Sequence, residues 1–258
     1  MKEQQNKLEK YFRNNSGRLL HKWIHYFDIY DRHFARFKDR DIVLLEIGVS
    51  HGGSLEMWRD YFGDRVKIYG VDINPLCRQF EEDDTKIFIG SQSDRSFLNR
   101  IKQEIPPIDI LIDDGGHTMK QQKVTFEELF PHVKENGVYL CEDLHTSYWA
   151  DFGGGYKRIG TFIEYAKNFI DKLNAHHSKT WRLKVDEFTK SAQSVHFYDS
   201  IVVVEKNVMT PPYHDKSGNN SFPPTQDVKS FIRSPRSIKL WVNKIVNVVL
   251  GFFRLPGI

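Results

Sequence analysis

Two short segments hold most of the groups able to do chemistry: Asp113-Asp114-Gly115-Gly116-His117 and Glu142-Asp143-Leu144-His145. Four carboxylates delivered to one place repel strongly unless a cation, a proton or a charged ligand neutralises them. Oxygen-rich ligation without cysteine favours Mg²⁺, Mn²⁺ or Ca²⁺ over a structural zinc. A cation beside an alcohol lowers its pKa, and a nearby imidazole can then take the proton. His117 is the expected general base of such an arrangement. Alone, His117 also reads as a residue at the start of a helix, and the acids as capping groups. Together they favour the chemical reading.

Such groups meet only if the chain brings both segments to one edge. Apolar, β-rich runs at 42–47, 66–71, 86–89, 108–112 and 137–141 alternate with helix-like stretches at 53–62, 94–103 and 118–130. Near-continuous apolar strands alternating with helices imply a parallel sheet covered on both faces. A helix at 157–176 and a closing pair of strands at 180–188 and 195–205 complete the expected fold. It is α/β and Rossmann-like, a mainly parallel seven-stranded sheet with helices on both faces. Ahead of it, helices are expected at 4–14 and 18–37. The second carries Leu19, Leu20, Trp23, Ile24, Phe27, Tyr30 and Phe34 at helical spacing, with His21, Lys22, His25 and Arg32 beside them. That stripe reads first as core packing, although its polar neighbours can face a site. The expected division is an N-terminal helical extension (1–40), one α/β domain (41–206), and a linker with a basic amphipathic tail (207–258).

The first strand leads into Glu46-Ile47-Gly48-Val49-Ser50-His51-Gly52-Gly53-Ser54. Small residues there let the backbone turn sharply and approach a ligand at the carboxyl edge of the sheet. The spacing is G-x-x-x-G-G, not the pyrophosphate-binding G-x-G-x-x-G, so a nucleoside without a pyrophosphate suits it better. Asp72, closing the second strand, is placed to accept hydrogen bonds from ribose hydroxyls. After the third strand, Ser91, Gln92 and Ser93 are candidates for a base contact, while Ser93 or Asp94 reads equally as a helix N-cap. The wall of the nucleoside site is expected to comprise Glu46, Gly48, Ser54, Asp72, Ser91, Gln92 and Asp113.

Bulk properties exclude several classes. Net charge is +3, but residues 207–258 carry seven Lys/Arg against two acids, leaving residues 1–206 net negative. A nucleic-acid-binding body is not indicated. Cys77 and Cys141 lack zinc-site spacing and read as reduced structural thiols. The polar start and the absence of a long apolar run point to a cytoplasmic protein.

The segments LLEIGVSHGGSLEMW, YGVDINP, IDDGGH and CEDLHTSYW followed by FGGGY resemble one family. It comprises the metal-dependent sugar O-methyltransferases of macrolide biosynthesis, of the mycinamicin and tylosin type, with relatives in surface-polysaccharide gene clusters. The resemblance covers about residues 18–165. It implies a class I methyltransferase that takes S-adenosylmethionine through Glu46 and Asp72. It also implies that Asp114, Glu142 and Asp143 bind Mg²⁺ (or Mn²⁺), that His117 removes a hydroxyl proton, and that the acceptor is a sugar, glycan or glycolipid. Ser91 stands where that pattern has an acid, and Gly116 where Ser is commoner. Homo-oligomers occur among related enzymes. His145, Tyr148 and Trp149 could form a sugar platform under a lid hinged at 153–155, or could simply pack that lid. Residues 237–255 read as an amphipathic basic helix able to lie on a membrane, on the body or on another subunit. Two other readings are a nicotinamide-dependent oxidoreductase, disfavoured by the missing fingerprint, and a non-catalytic nucleoside-binding scaffold, which would need no base.

Overall fold

The computed structural model describes residues 6–219 and Val246. The chain divides into two units, Met1–Pro212 and Tyr213–Ile258. Within the second, residues 213–219 carry no helix or strand, and the expected helix at 237–255 lies outside the described residues.

The first unit is built on a seven-stranded sheet: β1 (Ile42–Ile47), β2 (Val66–Asp72), β3 (Thr85–Ile89), β4 (Ile108–Asp113), β5 (Val133–Cys141), β6 (Ala192–Tyr198) and β7 (Ile201–Lys206). Their order is β3-β2-β1-β4-β5-β7-β6. The first five strands are mutually parallel, and β7 runs antiparallel to both its neighbours. The order reverses between β1 and β4, which opens a crevice beyond the carboxyl ends of the strands. Register aligns those ends, because Ile47 pairs with Val71 and Asp113, and Asp113 pairs with Cys141. Asp72 at the end of β2 and the residues that follow the neighbouring strands, Gly48, Asp114 and Glu142, therefore emerge side by side.

Helices α1 (Lys7–Asn14), α2 (Tyr26–Phe34) and α3 (Gly53–Phe62) cover one face, and α4 (Arg95–Glu104), α5 (Met119–Leu129), α6 (Phe162–Leu173) and α7 (Glu187–Ser191) the other. Alternation along β1 supplies both cores: Leu45 and Ile47 join one cluster, Ile42 and Leu44 the other. Polar caps start the helices. Asp94 accepts from Ser96 and Phe97 amides at α4, and Thr118 forms a capping box with Gln121 at α5. Asp94 thus settles the N-cap alternative. Cys77 and Cys141 are both free and buried. No helix among the described residues is long and apolar enough to cross a membrane.

Three expectations need correction. Residues 18–25 are not helical; α2 begins only at Tyr26. Leu19 and Trp23 of the expected apolar stripe are 64% and 52% exposed. The backbone here instead lies on the turn before α3, so close that a Cβ at Gly53 would meet the Leu19 carbonyl at 2.4 Å. The Arg18 amide donates to Glu56, and Lys22 reaches into the sheet edge. Tertiary charge pairing overrides the helical periodicity. Second, residues 180–188 do not form a strand, because Asp186 and Thr189 build a capping box that starts α7. Third, the stretch expected as one strand at 195–205 is a hairpin, broken at Asp199-Ser200 where Ser200 has φ 63°.

The N-terminal segment shares one of the two cores. Tyr30 and Phe34 are fully buried, and both meet Trp58 of α3 edge-on at 5.2 and 5.9 Å between ring centres. Phe34→Ala should lower unfolding free energy by roughly 3–5 kcal/mol, the usual cost of emptying a buried aromatic site. Urea denaturation of the variant beside the wild type measures this.

Candidate active site

The crevice holds two adjoining cavities. The first, of about 230 Å³, is lined by Gly48, Ser50, Asp72, Ile73, Ser91, Gln92 and Asp114 to Gly116, among others. The second, of about 270 Å³, shares Gly48, Ser50, Asp114 and Gly115 with it and adds Leu19 to Lys22, Ser54, His117 and Asp143. Asp114 and Gly48 therefore form a common wall.

That wall requires glycine. Gly48 has φ 95°, and a Cβ there would fall 2.0 Å from the Asp114 carbonyl oxygen. Asp72 ties the turn in place, accepting from the amides of Val49 and Ser50 (both 2.9 Å) and of Asn74 (2.8 Å). Glu46 lies beneath the turn, wholly buried, and accepts from the Ser54 hydroxyl and the Trp58 indole. Burial pushes its carboxyl up to about 7, against the pull of Lys22. Gln92 is buried and acts as a staple: its amide donates to Asp113 and Thr125, and its oxygen accepts from the Gly116 amide at 2.7 Å. Ser91 lines the first cavity and pairs with Ser93. Asp113 is 1% exposed and its Oδ2 has no partner. Burial raises this carboxyl to about 7, against the Gln92 hydrogen bond.

In the second cavity Asp114, His117 and Asp143 each offer an atom to a cluster whose members lie within 4.8 Å of one another. His117 Nε2 is 3.9 Å from Asp114 Oδ1 and 3.6 Å from Asp143 Oδ2. Both His117 and Asp143 have positive φ, 54° and 55°, a backbone cost of order 1 kcal/mol each that is usually kept only where a site demands it. The Thr146 hydroxyl holds the two bends together by donating to both of their carbonyls. The two carboxylates offer the oxygen donors that Mg²⁺ or Mn²⁺ takes, and the imidazole lies beside them.

Glu142, expected among the ligands, lies behind this cluster at 1% exposure. Its Oε1 accepts from the Tyr30 hydroxyl (2.6 Å) and its Oε2 from the Lys22 ammonium (2.8 Å), which also reaches Asp114 Oδ2 at 2.5 Å. The Tyr26 hydroxyl donates to Asp143 Oδ1 at 2.8 Å. Burial would lower the Lys22 pKa, but Asp114, Glu142 and Glu46 outweigh it and hold the ammonium charged. Burial raises Glu142, with Asp114 adding to the rise and Lys22 opposing it. Lys22 reads in the sequence as a polar neighbour of the 18–37 stripe able to face a site; Tyr30, which reads as part of the apolar stripe, and Tyr26 were missed as site residues.

At the rim, the His145 ring lies 5.8 Å from Trp23 and 4.6 Å from Trp149, and its Nδ1 pairs with Ser200 at 2.6 Å. Tyr148 and Trp149 are both half exposed.

This fold and crevice agree with what the chain is similar to. Residues 45–144 match the family described as Methyltransferase domain. The MycE methyltransferase of the mycinamycin pathway, solved in complex with Mg, SAH and mycinamycin VI, matches with a TM-score of 0.69 at 31% identity, over 88% of this chain and 58% of that one. This chain carries a class I methyltransferase domain. The chain is also 37% identical over 196 residues to the 8-demethyl-8-alpha-L-rhamnosyl tetracenomycin-C 2'-O-methyltransferase of Streptomyces olivaceus, covering 72% of this chain and 51% of that protein. Mycinamicin VI 2''-O-methyltransferase of Micromonospora griseorubida is 35% identical over 188 residues, 69% of this chain and 47% of that one. The chain spans about half the length of these curated relatives.

Asp113 titrates differently in the folded and unfolded chain. With a folded value near 7 and an unfolded one of about 3.9, its contribution to stability is full below about pH 4. That contribution is lost as pH rises through about 7. Asp113→Asn cannot titrate. Relative to the wild type, the variant should therefore gain on the order of 2 kcal/mol between pH 5 and pH 8. Paired denaturation curves at the two pH values test this.

Proposed function

We propose that this methyltransferase transfers the methyl group of S-adenosylmethionine to a sugar hydroxyl, assisted by a divalent cation. One observation carries the reading. The Asp114–His117–Asp143 cluster shares a wall with the cavity behind Gly48, so a methyl donor and an acceptor hydroxyl can meet across it. The names of the relatives, which methylate hydroxyls of sugars carried by larger natural products, support the acceptor class.

The first cavity receives the nucleoside, with Asp72 facing the ribose and Ser91 and Gln92 near the base. S-adenosylmethionine supplies an electrophilic methyl, so the remaining tasks are alignment and proton removal. Asp114 and Asp143, with Glu142 behind them, would hold the cation, which when bound lowers the pKa of a hydroxyl nearby. His117 Nε2 faces the space between these two acids and takes the hydroxyl proton. Tyr26 and Thr146 fix Asp143, and Gln92 fixes the backbone before His117, so the geometry is set before the acceptor arrives. The rings of Trp23, His145 and Trp149 give the sugar an apolar face to lie on.

Calorimetric titration should show S-adenosylmethionine binding, no heat from NAD, and an Mg²⁺ heat that disappears in Asp114→Asn. NAD binding without S-adenosylmethionine binding would overturn the proposal. With a panel of glycosylated acceptors and labelled donor, His117→Ala should lose roughly 10²–10⁴ in kcat while binding the donor as the wild type does. An unchanged kcat would remove the histidine from its assigned role.

A further inference from the structure

Beside the crevice lies a third cavity, of about 460 Å³, with an apolar wall of Leu144, Tyr148, Ile163, Ile170, Phe197 and Tyr198. Three elements build it: the turn after β5 (Leu144–Tyr148), helix α6, and the tip of the β6–β7 hairpin. Helix α6 carries two stripes. Phe162, Ala166 and Phe169 are buried in the core, whereas Ile163, Lys167 and Ile170, spaced by four and then three residues, line the cavity. The Lys167 ammonium is paired with Glu164 of its own helix at 2.6 Å, which offsets its charge. Ile170, Phe197 and Tyr148 are 50%, 42% and 51% exposed. Large apolar side chains grouped in this way mark a surface that meets a ligand or a partner.

His145 indicates which. It lines this cavity, its Nδ1 bonds Ser200 of the hairpin at 2.6 Å, and the same atom lies 4.0 Å from Asp143 Oδ1. One imidazole therefore borders both the acid cluster and the apolar cavity. A sugar resting on Trp23, His145 and Trp149 can send whatever is attached to it past His145, where apolar groups gain by leaving water. We propose that the cavity takes the apolar aglycone of the acceptor, and that Ile170 and Phe197 thereby determine which glycosides are accepted. This rests on the sugar-methylating reading above and adds the non-sugar part of the substrate to it. Ile170 and Phe197 line neither cavity of the crevice, so they select the acceptor without touching the reacting groups. A second copy of the chain is the competing occupant; the wall shared with the acid cluster favours the acceptor.

Ligand-observed NMR titration of the full chain, saturated with S-adenosylhomocysteine, tests this without turnover. The probes are methyl β-D-glucoside and octyl β-D-glucoside, the latter below its critical micelle concentration. Octyl glucoside should bind the wild type at least roughly tenfold more tightly than methyl glucoside, from burial of the added methylenes. That gain should disappear in Ile170→Glu and in Phe197→Glu and persist in Ile170→Leu, with S-adenosylhomocysteine affinity unchanged throughout. Both positions are half exposed, so the variants leave the core intact. Equal octyl glucoside affinity in the wild type and both glutamate variants overturns the inference, as does a wild type that gains nothing from the octyl chain. So does a wild-type dimer in sedimentation that Ile170→Glu dissociates, because the cavity is then covered by a second copy. A chain that binds no S-adenosylhomocysteine overturns the methyl-transfer reading itself, and this inference with it.

Discussion

A buried lysine bridging two carboxylates organises this molecule. Lys22 comes from the segment before α2 and closes on Asp114 after β4 and Glu142 after β5. Removing one partner from such a contact typically costs 3–5 kcal/mol, because the other charge is left buried and uncompensated. The contact therefore determines where residues 18–25 can run. Their path in turn roofs the second cavity with Leu19 to Lys22 and leaves Trp23 at the rim beside His145.

The other side of the crevice is held by neutral and backbone interactions. Gly48 permits the close approach to Asp114, Asp72 gathers three amides, and Gln92 staples the loop before His117. Each of these groups sits at the carboxyl end of a parallel strand or just beyond it. Neighbouring strands pair at Ile47, Val71, Asp113 and Cys141, so a shift in one would carry its polar residue out of the crevice. Positive φ at His117 and Asp143 is held in place by Thr146, whose hydroxyl reaches both carbonyls, and at Asp143 by Tyr26 as well.

The relatives extend well beyond the length of this chain, whereas the crevice groups described here all come from residues 19–149. The two cavities and the acidic cluster thus lie within the first unit.

Periodicity in the sequence was enough for the parallel strands and for α3 to α6. Apolar runs buried on both faces and polar caps such as Asp94 and Thr118 are local signals, written within a few residues of the element they specify. The glycine turn, Asp72 and the Asp114–His117 and Glu142–Asp143 segments were legible for the same reason: each follows a recognisable strand. Of what the sequence did not yield, the hairpin turn and the capping box before it are local signals that were read past, and two things were not local. A two-residue turn split the stretch at 195–205 into β6 and β7, and a capping box replaced the strand expected before it. The chain at 18–25 gave up a plausible helix to deliver Lys22, 92 and 120 residues away in sequence from the acids it meets. Whether Glu142 faces the cavity or lies behind it also depended on Tyr30 and Lys22 arriving from the opposite end of the domain. Charge compensation in a buried site is decided by which partners reach it, and only the tertiary structure sets that.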